Sequence, residues 1–231
     1  MGAAILDYHR YGKASKLRVR SSQFEEDEIP VETLFRDWNE MSPLEKKAIE
    51  LCQGKILDVG AGSGCHSLIL HKRSKDVEAI DISPNAVTVM QERGLRAKLY
   101  DVFDPSFTGQ YDTILLLMNG SGIIGKIERL ENFFQRMRAL LSPNGYILMD
   151  SSDLKYLYEE EDGSYLIDIN DNYYGEIDYQ MIYKSIKGAS FDWLYIDFET
   201  LAYYAKSYGF QAELVHQGEH YDYLAKLSVA K

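Results

Sequence analysis

One short stretch concentrates residue types able to hold a small charged ligand. It reads Asp58-Val59-Gly60-Ala61-Gly62-Ser63-Gly64, and a further acid, Asp81, ends the next apolar run. Glycines between a strand and a helix let a ligand approach the backbone closely, and the free N–H groups at a helix start suit a carboxylate or phosphate. A dinucleotide fingerprint requires a glycine three residues after the second of its first pair. Here that distance from Gly62 lands on Cys65, and from Gly64 on Ser67. The pattern is D-x-G-x-G-x-G instead. Asn119, Asp150 and Asp153 stand at or just past the ends of later apolar runs and are the candidates for work on a reacting group. Acids in such places are also ordinary turn caps. His216 and His220 fall in a terminal hairpin, where packing or solvent contact is the common role. Cys65, at a helix start, reads as a buried small hydrophobe. No cysteine, histidine and acid spacing matches a metal site, so none is expected.

These residues need elements to position them. Ile56–Val59 is a short apolar run closed by glycines, a strand, and Cys65–Arg73 reads as the helix after it. Val77–Ile82 is a second strand, with Ser83-Pro84 capping a helix that ends near Arg93. Ala97–Val102 and Tyr111–Met118 are the third and fourth strands. The fourth is apolar on both faces, as a central strand covered by helices must be. Lys126–Leu141 carries Ile127, Leu130, Phe133, Phe134, Met137 and Leu140 on one helical face. After a Ser142–Gly145 turn, Tyr146–Asp150 is the fifth strand. Strand and helix in alternation imply a parallel sheet with right-handed crossovers.

The flanks read differently. Residues 1–32 are polar and weakly periodic, the pattern of a mobile arm or flap, with basic and acidic clusters (Arg10 to Arg20, then Glu25 to Glu28) as solvated arms. Residues 33–53 show helical spacing, with Ser42-Pro43 and Glu45 marking a helix restart. Thirteen of the 18 tyrosines lie between Tyr156 and Tyr223. Glu176–Ile186 and Phe191–Phe198 alternate as an antiparallel hairpin inserted after the fifth strand. Half-buried strands favour tyrosine; the other reading is that these rings line an acceptor pocket or a homodimer surface. Glu199–Tyr208 is a last helix, and Gln211–His216 and Tyr223–Ala230 a final strand pair.

Composition narrows the partners. Lys and Arg total 25 against 36 Asp and Glu, a formal net charge of −11 over 231 residues. Such a surface repels phosphate backbones and anionic lipid, which argues against nucleic-acid and membrane partners. Two cysteines outside any CxxC point to a reducing compartment. No apolar signal segment opens the chain and no run approaches a membrane span. A soluble, cytoplasmic protein is the expectation, and the charge does not argue against a small-molecule substrate.

The D-x-G-x-G-x-G turn with its spaced Asp81 resembles motif I and its partner acid in the class I S-adenosylmethionine-dependent methyltransferases, of the bacterial small-molecule type. Residues 55–150 follow that family's pattern, and the tail from Glu199 fits its last helix and strand pair. The resemblance implies an α/β fold: a Rossmann-like doubly wound sheet, mostly parallel with an antiparallel last strand. To this the chain adds an N-terminal helical segment and an antiparallel β insert after the fifth strand. It divides the chain into an N-terminal arm and helical cap (1–53) and a methyltransferase domain (54–231) carrying the insert 151–198. It implies S-adenosylmethionine as cofactor and methyl transfer to a small-molecule acceptor. Gly60, Ala61, Gly62 and Gly64 would allow backbone approach. Asp58 would receive the amino group, Asp81 the ribose diol and Ile82 the adenine face. Asp101 and Val102 would meet the adenine edge, and Met118 and Asn119 would lie below the methionine end. Arg36 is a candidate clamp for the cofactor carboxylate. Asn119-Gly120-Ser121-Gly122 is not the N-P-P-Y type signature of nucleic-acid amino methyltransferases. A nicotinamide-dependent oxidoreductase and a non-catalytic module binding the cofactor or its product are the competing readings.

Overall fold

The structure is a computed structural model and describes residues 1–160, 162–167 and 172–230; residues 161 and 168–171 of the expected insert, and residue 231, lie outside it. The chain opens with α1 (Gly2–Tyr11), β1 (Leu17–Arg20), β2 (Asp27–Ile29) and α2 (Pro43–Leu51). The central repeat is β3 (Lys55–Val59), α3 (Cys65–Lys72), β4 (Asp76–Asp81), α4 (Pro84–Glu92), β5 (Ala97–Leu99), β6 (Tyr111–Leu116), α5 (Leu130–Leu140) and β7 (Leu141–Ser152). β8 (Glu176–Tyr183), β9 (Ile186–Lys187), β10 (Phe191–Leu194), α6 (Phe198–Ser207), β11 (Phe210–Gln217) and β12 (Asp222–Val229) complete it.

Seven strands form one sheet in the order β11-β12-β7-β6-β3-β4-β5. β7, β6, β3, β4 and β5 are mutually parallel, and β12 returns antiparallel beside β7. This is the doubly wound architecture expected. The strand order reverses between β3 and β6, and in open α/β sheets that switch point, beyond the strand ends, is where ligands bind. Both sheet faces are covered. On one, α5 buries Leu130, Phe133, Phe134, Met137 and Leu140, as its period requires. On the other, α2 and α3 pack Leu44, Ala48, Ile49, Ile69 and Leu70. α2 starts where Ser42-Pro43 indicated: the Ser42 hydroxyl accepts from the Glu45 N–H at 3.2 Å, and the Glu45 carboxylate accepts from the Ser42 N–H at 2.9 Å.

The N-terminal segment departs from expectation. Residues 1–32 are not a mobile arm. α1 packs against α4, with Ala4 and Ile5 fully buried. β1 pairs with β2 and, antiparallel, with β8, aligning Leu17 with Tyr183. A second sheet results, in the order β10-β8-β1-β2 with β9 against β8. The charged clusters read as solvated arms face each other across this hairpin, where Lys16 meets Glu28 at 2.7 Å and Arg18 meets Glu26 at 3.1 Å. Leu17 and Val19 point inward between them. Four residues of alternation are too few to announce a strand, and the partner β8 stands far off in sequence.

Smaller boundary shifts follow the same logic. Residues 33–53 divide into a 3-10 turn, Val31–Phe35, and α2. The third strand stops at Leu99. The Lys126–Leu141 helix opens as a 3-10 turn over Ile127–Arg129. The fifth strand extends from Leu141 to Ser152, absorbing the expected turn where β6 and β7 shift register.

Candidate active site

A cleft of about 1640 Å³ lies between the carboxyl ends of β3, β4 and β6 and the second sheet. Its floor begins with the glycine-rich turn. The N–H groups of Gly60 and Ala61 both donate to the Ile80 carbonyl, at 2.9 and 3.1 Å, so the turn is tied to β4. Gly60 and Gly62 have φ of +67° and +58°, a region side chains rarely adopt. A Cβ on either would find only one atom as near as 4.0 Å, from Ile123 or Ile5. Two bare backbone faces therefore open on the cleft. Gly64 differs: a Cβ there would stand 2.6 Å from Leu95 and 2.9 Å from Met90. Its smallness lets α3 pack on α4, and it lies outside the cleft walls, which corrects the expectation that it meets a ligand.

Acids flank the turn. Asp58, buried beneath it, accepts from the Ser67 hydroxyl at 2.6 Å. Burial raises its carboxyl above the ordinary range, against the pull of nearby His66 and of Ser67. Asp81 at the end of β4 accepts from Gly62 N–H at 2.9 Å through one oxygen and from Ser83 N–H at 2.7 Å through the other. Burial raises it too, opposed by the backbone N–H groups of Ser83, Gly62 and Ile82. Each carboxylate oxygen keeps lone-pair capacity for a further donor. Ile82 beside it is 74% exposed, an apolar side chain left on the cleft wall. Asp101 and Val102 also line the cleft; the Asp101 carboxylate accepts from the Phe103 N–H at 2.9 Å, and Val102 is buried.

Met118 and Asn119, after β6, take φ of +67° and +57° in succession. Two consecutive non-glycine residues in the left-handed region cost energy, and surrounding structure must hold them. Asp150 does so: its oxygens accept from Asn119 N–H at 3.0 Å and Gly120 N–H at 2.7 Å. Burial pushes the Asp150 carboxyl up to about 6, partly offset by those two N–H groups. From the second sheet, the Leu194 carbonyl accepts from Asn119 Nδ2 at 3.1 Å and from Ser121 Oγ at 2.8 Å. Asn119 Oδ1 is buried without a partner among the described residues.

The three reaction candidates thus separate. Asn119 lines the cleft; Asp150 does not, and fixes the loop instead. Asp153 faces away, capping a 3-10 turn and accepting from the Tyr174 hydroxyl at 2.8 Å. Neither acid is placed as a base. Arg36 does not reach the cleft: its guanidinium is bound to Glu45 and to the Thr33 carbonyl. Glu45 in turn meets His66 Nε2 at 2.8 Å, and His66 forms part of the cleft wall. Although burial opposes ionisation, His66, the Ser42 N–H and Arg36 bring Glu45 down to about 2. His66 lies well above its usual range because Cys65, Glu45 and Asp58 outweigh the burial that opposes its charge.

The roof uses the segments that sequence reading allowed to cover a pocket, 1–53 and 151–198, but their pairing into one sheet was not foreseen. It comes from the N-terminal hairpin and from β8 and β10, with Tyr179, Phe191, Trp193 and Tyr195 facing the cleft. Trp193 lies against Gly122, where a Cβ would fall 1.9 Å from the indole. Strand alternation over 176–198 signalled the strands, but nothing local signalled their position over the glycine turn. His220 sits at the exposed rim.

Comparisons with known proteins bear on the family and the fold. The family described as "Methyltransferase domain" matches residues 56–145. A solved SAM-dependent methyltransferase from Bacteroides fragilis, in complex with S-adenosyl-L-homocysteine, is 57% identical, with a TM-score of 0.95 over 100% of this chain and 94% of that one. The CcbJ methyltransferase from Streptomyces caelestis, at 12% identity and TM-score 0.64 over 86% and 98%, shares the fold. A curated relative, "Hemagglutinin 1" of Eikenella corrodens, is 31% identical over 43% of this chain; the chain spans only 36% of that protein's length. The fold, the motif and a 57%-identical relative covered almost end to end place this chain in the S-adenosylmethionine-dependent methyltransferase family.

Proposed function

We propose that this methyltransferase acts on a small molecule held between the two sheets, with S-adenosylmethionine along the β3–β4 floor. One observation carries the reading: the bare faces of Gly60 and Gly62, Asp81 and the exposed Ile82 follow one another along a single cleft wall. That order suits a ligand with a zwitterionic end, a diol and an apolar ring, and the Bacteroides relative was solved with S-adenosyl-L-homocysteine. Asp58, Gly60, Ala61 and Gly62 would hold the methionine end, with Met118 and Asn119 beneath it. Asp81 would accept from the ribose hydroxyls, Ile82 would pack on the adenine, and Asp101 and Val102 would flank its edge. When bound, the cofactor supplies an electrophilic methyl carbon. The chain's contribution is to orient a nucleophile in line with that carbon and to exclude water. Asn119 and the loop fixed by Asp150 stand where the acceptor would approach.

No helix among the described residues is long and apolar enough to cross a membrane. A cytoplasmic setting belongs to the same proposal, supported by two free, buried cysteines in a chain of net charge −11. Calorimetry with S-adenosylhomocysteine and with NAD⁺ tests it: the first should bind and the second should not. Release of S-adenosylhomocysteine during a screen of small acceptors separates an enzyme from a binding module.

A further inference from the structure

Resting on the reading just given, the acceptor end of the cleft has a chemistry of its own. Tyr179 and Phe191 lie 6.3 Å apart between ring centroids, and Phe191 meets Trp193 edge-on at 5.9 Å. Tyr195 stands edge-on to Tyr179 at 6.5 Å, their hydroxyls 3.1 Å apart. All four rings are half-buried and line the cleft. Glu25 and Asp27, on the roof hairpin, also line it and have no ion-pair partner among the described residues. Cations that could answer an anionic ligand are scarce. Of the basic side chains on the described cleft walls, His66 is held by Glu45 at 2.8 Å and Arg129 lies 3.7 Å from Asp192. The third, His220, is at the exposed rim, and the Met1 α-amine, also on the wall, lies within the field of Asp81. Ring faces and free carboxylates both favour positive charge.

We propose that the acceptor is an amine on an apolar or aromatic body, and that its nitrogen is the atom methylated. The free-base nitrogen forms the new N–C bond as the C–S bond breaks, whose electron pair stays on sulfur. One proton of the resulting ammonium passes to solvent water. Positive charge thus moves from sulfur to nitrogen during the step, into the space bounded by Tyr179, Phe191 and Trp193. Groups of opposite polarity already aimed at where charge develops are among the most effective catalytic electrostatics, and for a growing cation these are ring faces and carboxylates. An acid or phenolate acceptor would arrive as an anion and meet, among the described residues, only cations already set beside a carboxylate or, for His220, left at the rim.

The test is calorimetric, on the full chain saturated with S-adenosylhomocysteine, with phenethylamine, 2-phenylethanol and 3-phenylpropanoate as probes. The amine should bind at least tenfold more tightly than the alcohol or the acid. Tyr179→Leu and Trp193→Leu should each erode that preference about fivefold or more, Tyr179→Phe should keep it, and S-adenosylhomocysteine affinity should hold. The exposed Asp27→Asn, which leaves packing alone, should weaken the amine about threefold. Equal or reversed preference, no binding of any probe at millimolar concentration, or a preference untouched by these substitutions overturns the inference and leaves the methyltransferase standing. Failure of S-adenosylhomocysteine itself to bind would defeat the underlying assignment and this inference with it.

Discussion

At the scale of single residues, Asp81 joins the glycine turn to the wall that Ile82 continues. Asp81→Ala removes acceptors for two backbone N–H groups and for the proposed ribose hydroxyls. Charged hydrogen bonds contribute about 1.5–3 kcal/mol each, so S-adenosylhomocysteine affinity measured by calorimetry should fall at least tenfold. Glu45 makes a different prediction, about stability. Its folded pKa lies near 2, below the ordinary 4.5, so the stability it contributes is present above pH 4.5 and is lost as pH falls toward 2. His66 is raised, so its contribution is full below its ordinary 6.5 and is lost as pH climbs through its folded value. Glu45→Gln leaves Arg36 and His66 without their anion. Removing one partner of a buried pair costs about 3–5 kcal/mol, and thermal melts should show that loss at pH 7 and a shallower decline below pH 4.5 than in the parent. Asp58, Asp81 and the two cleft-facing glycines were legible from type and spacing alone. Glu45 as a partner of His66 was not: the two lie on different helices, and only their packing reveals the contact.

At the scale of elements, α5 shows how far periodicity reaches. Its large apolar positions fall on one face and all are buried, and Phe134 stacks on Tyr208 and packs tilted against Phe210 as the last helix and β11 close over it. Phe134→Ala should cost about 3–5 kcal/mol, visible as a lower urea midpoint with little change in slope. The parallel strands were legible from their alternation with helices, and β6 most clearly, because a run apolar on both faces can only sit inside a covered sheet. β1 and β2 were not. Their residues alternate for three or four positions, and their stability comes from β8, which the chain reaches only after the whole central sheet. Gly64 teaches the converse: a glycine in a ligand motif can serve packing, and only the distance to Leu95 and Met90 tells which.

At the scale of the whole molecule, two sheets enclose one cleft, and the second joins the chain's beginning to its late insert. Leu17→Asp would bury a charge where β1 meets β8. Hydrogen exchange should then show protection lost first in 17–29 and 176–187, while the seven-stranded sheet stays protected and S-adenosylhomocysteine still binds; simultaneous loss everywhere would mean the layers unfold as one. The amino-acid sequence alone determined the doubly wound sheet, the cleft-facing turn with its acids, and the acidic surface, because each is written in local spacing or in simple composition. Tertiary structure decided the rest: the pairing of β1 with β8 that makes the roof one sheet, the engagement of Asp150 with the Asn119 loop, and the removal of Arg36 and Asp153 from the site. Those depend on which distant segments touch, and contact between segments far apart in the chain leaves no periodic trace in either one.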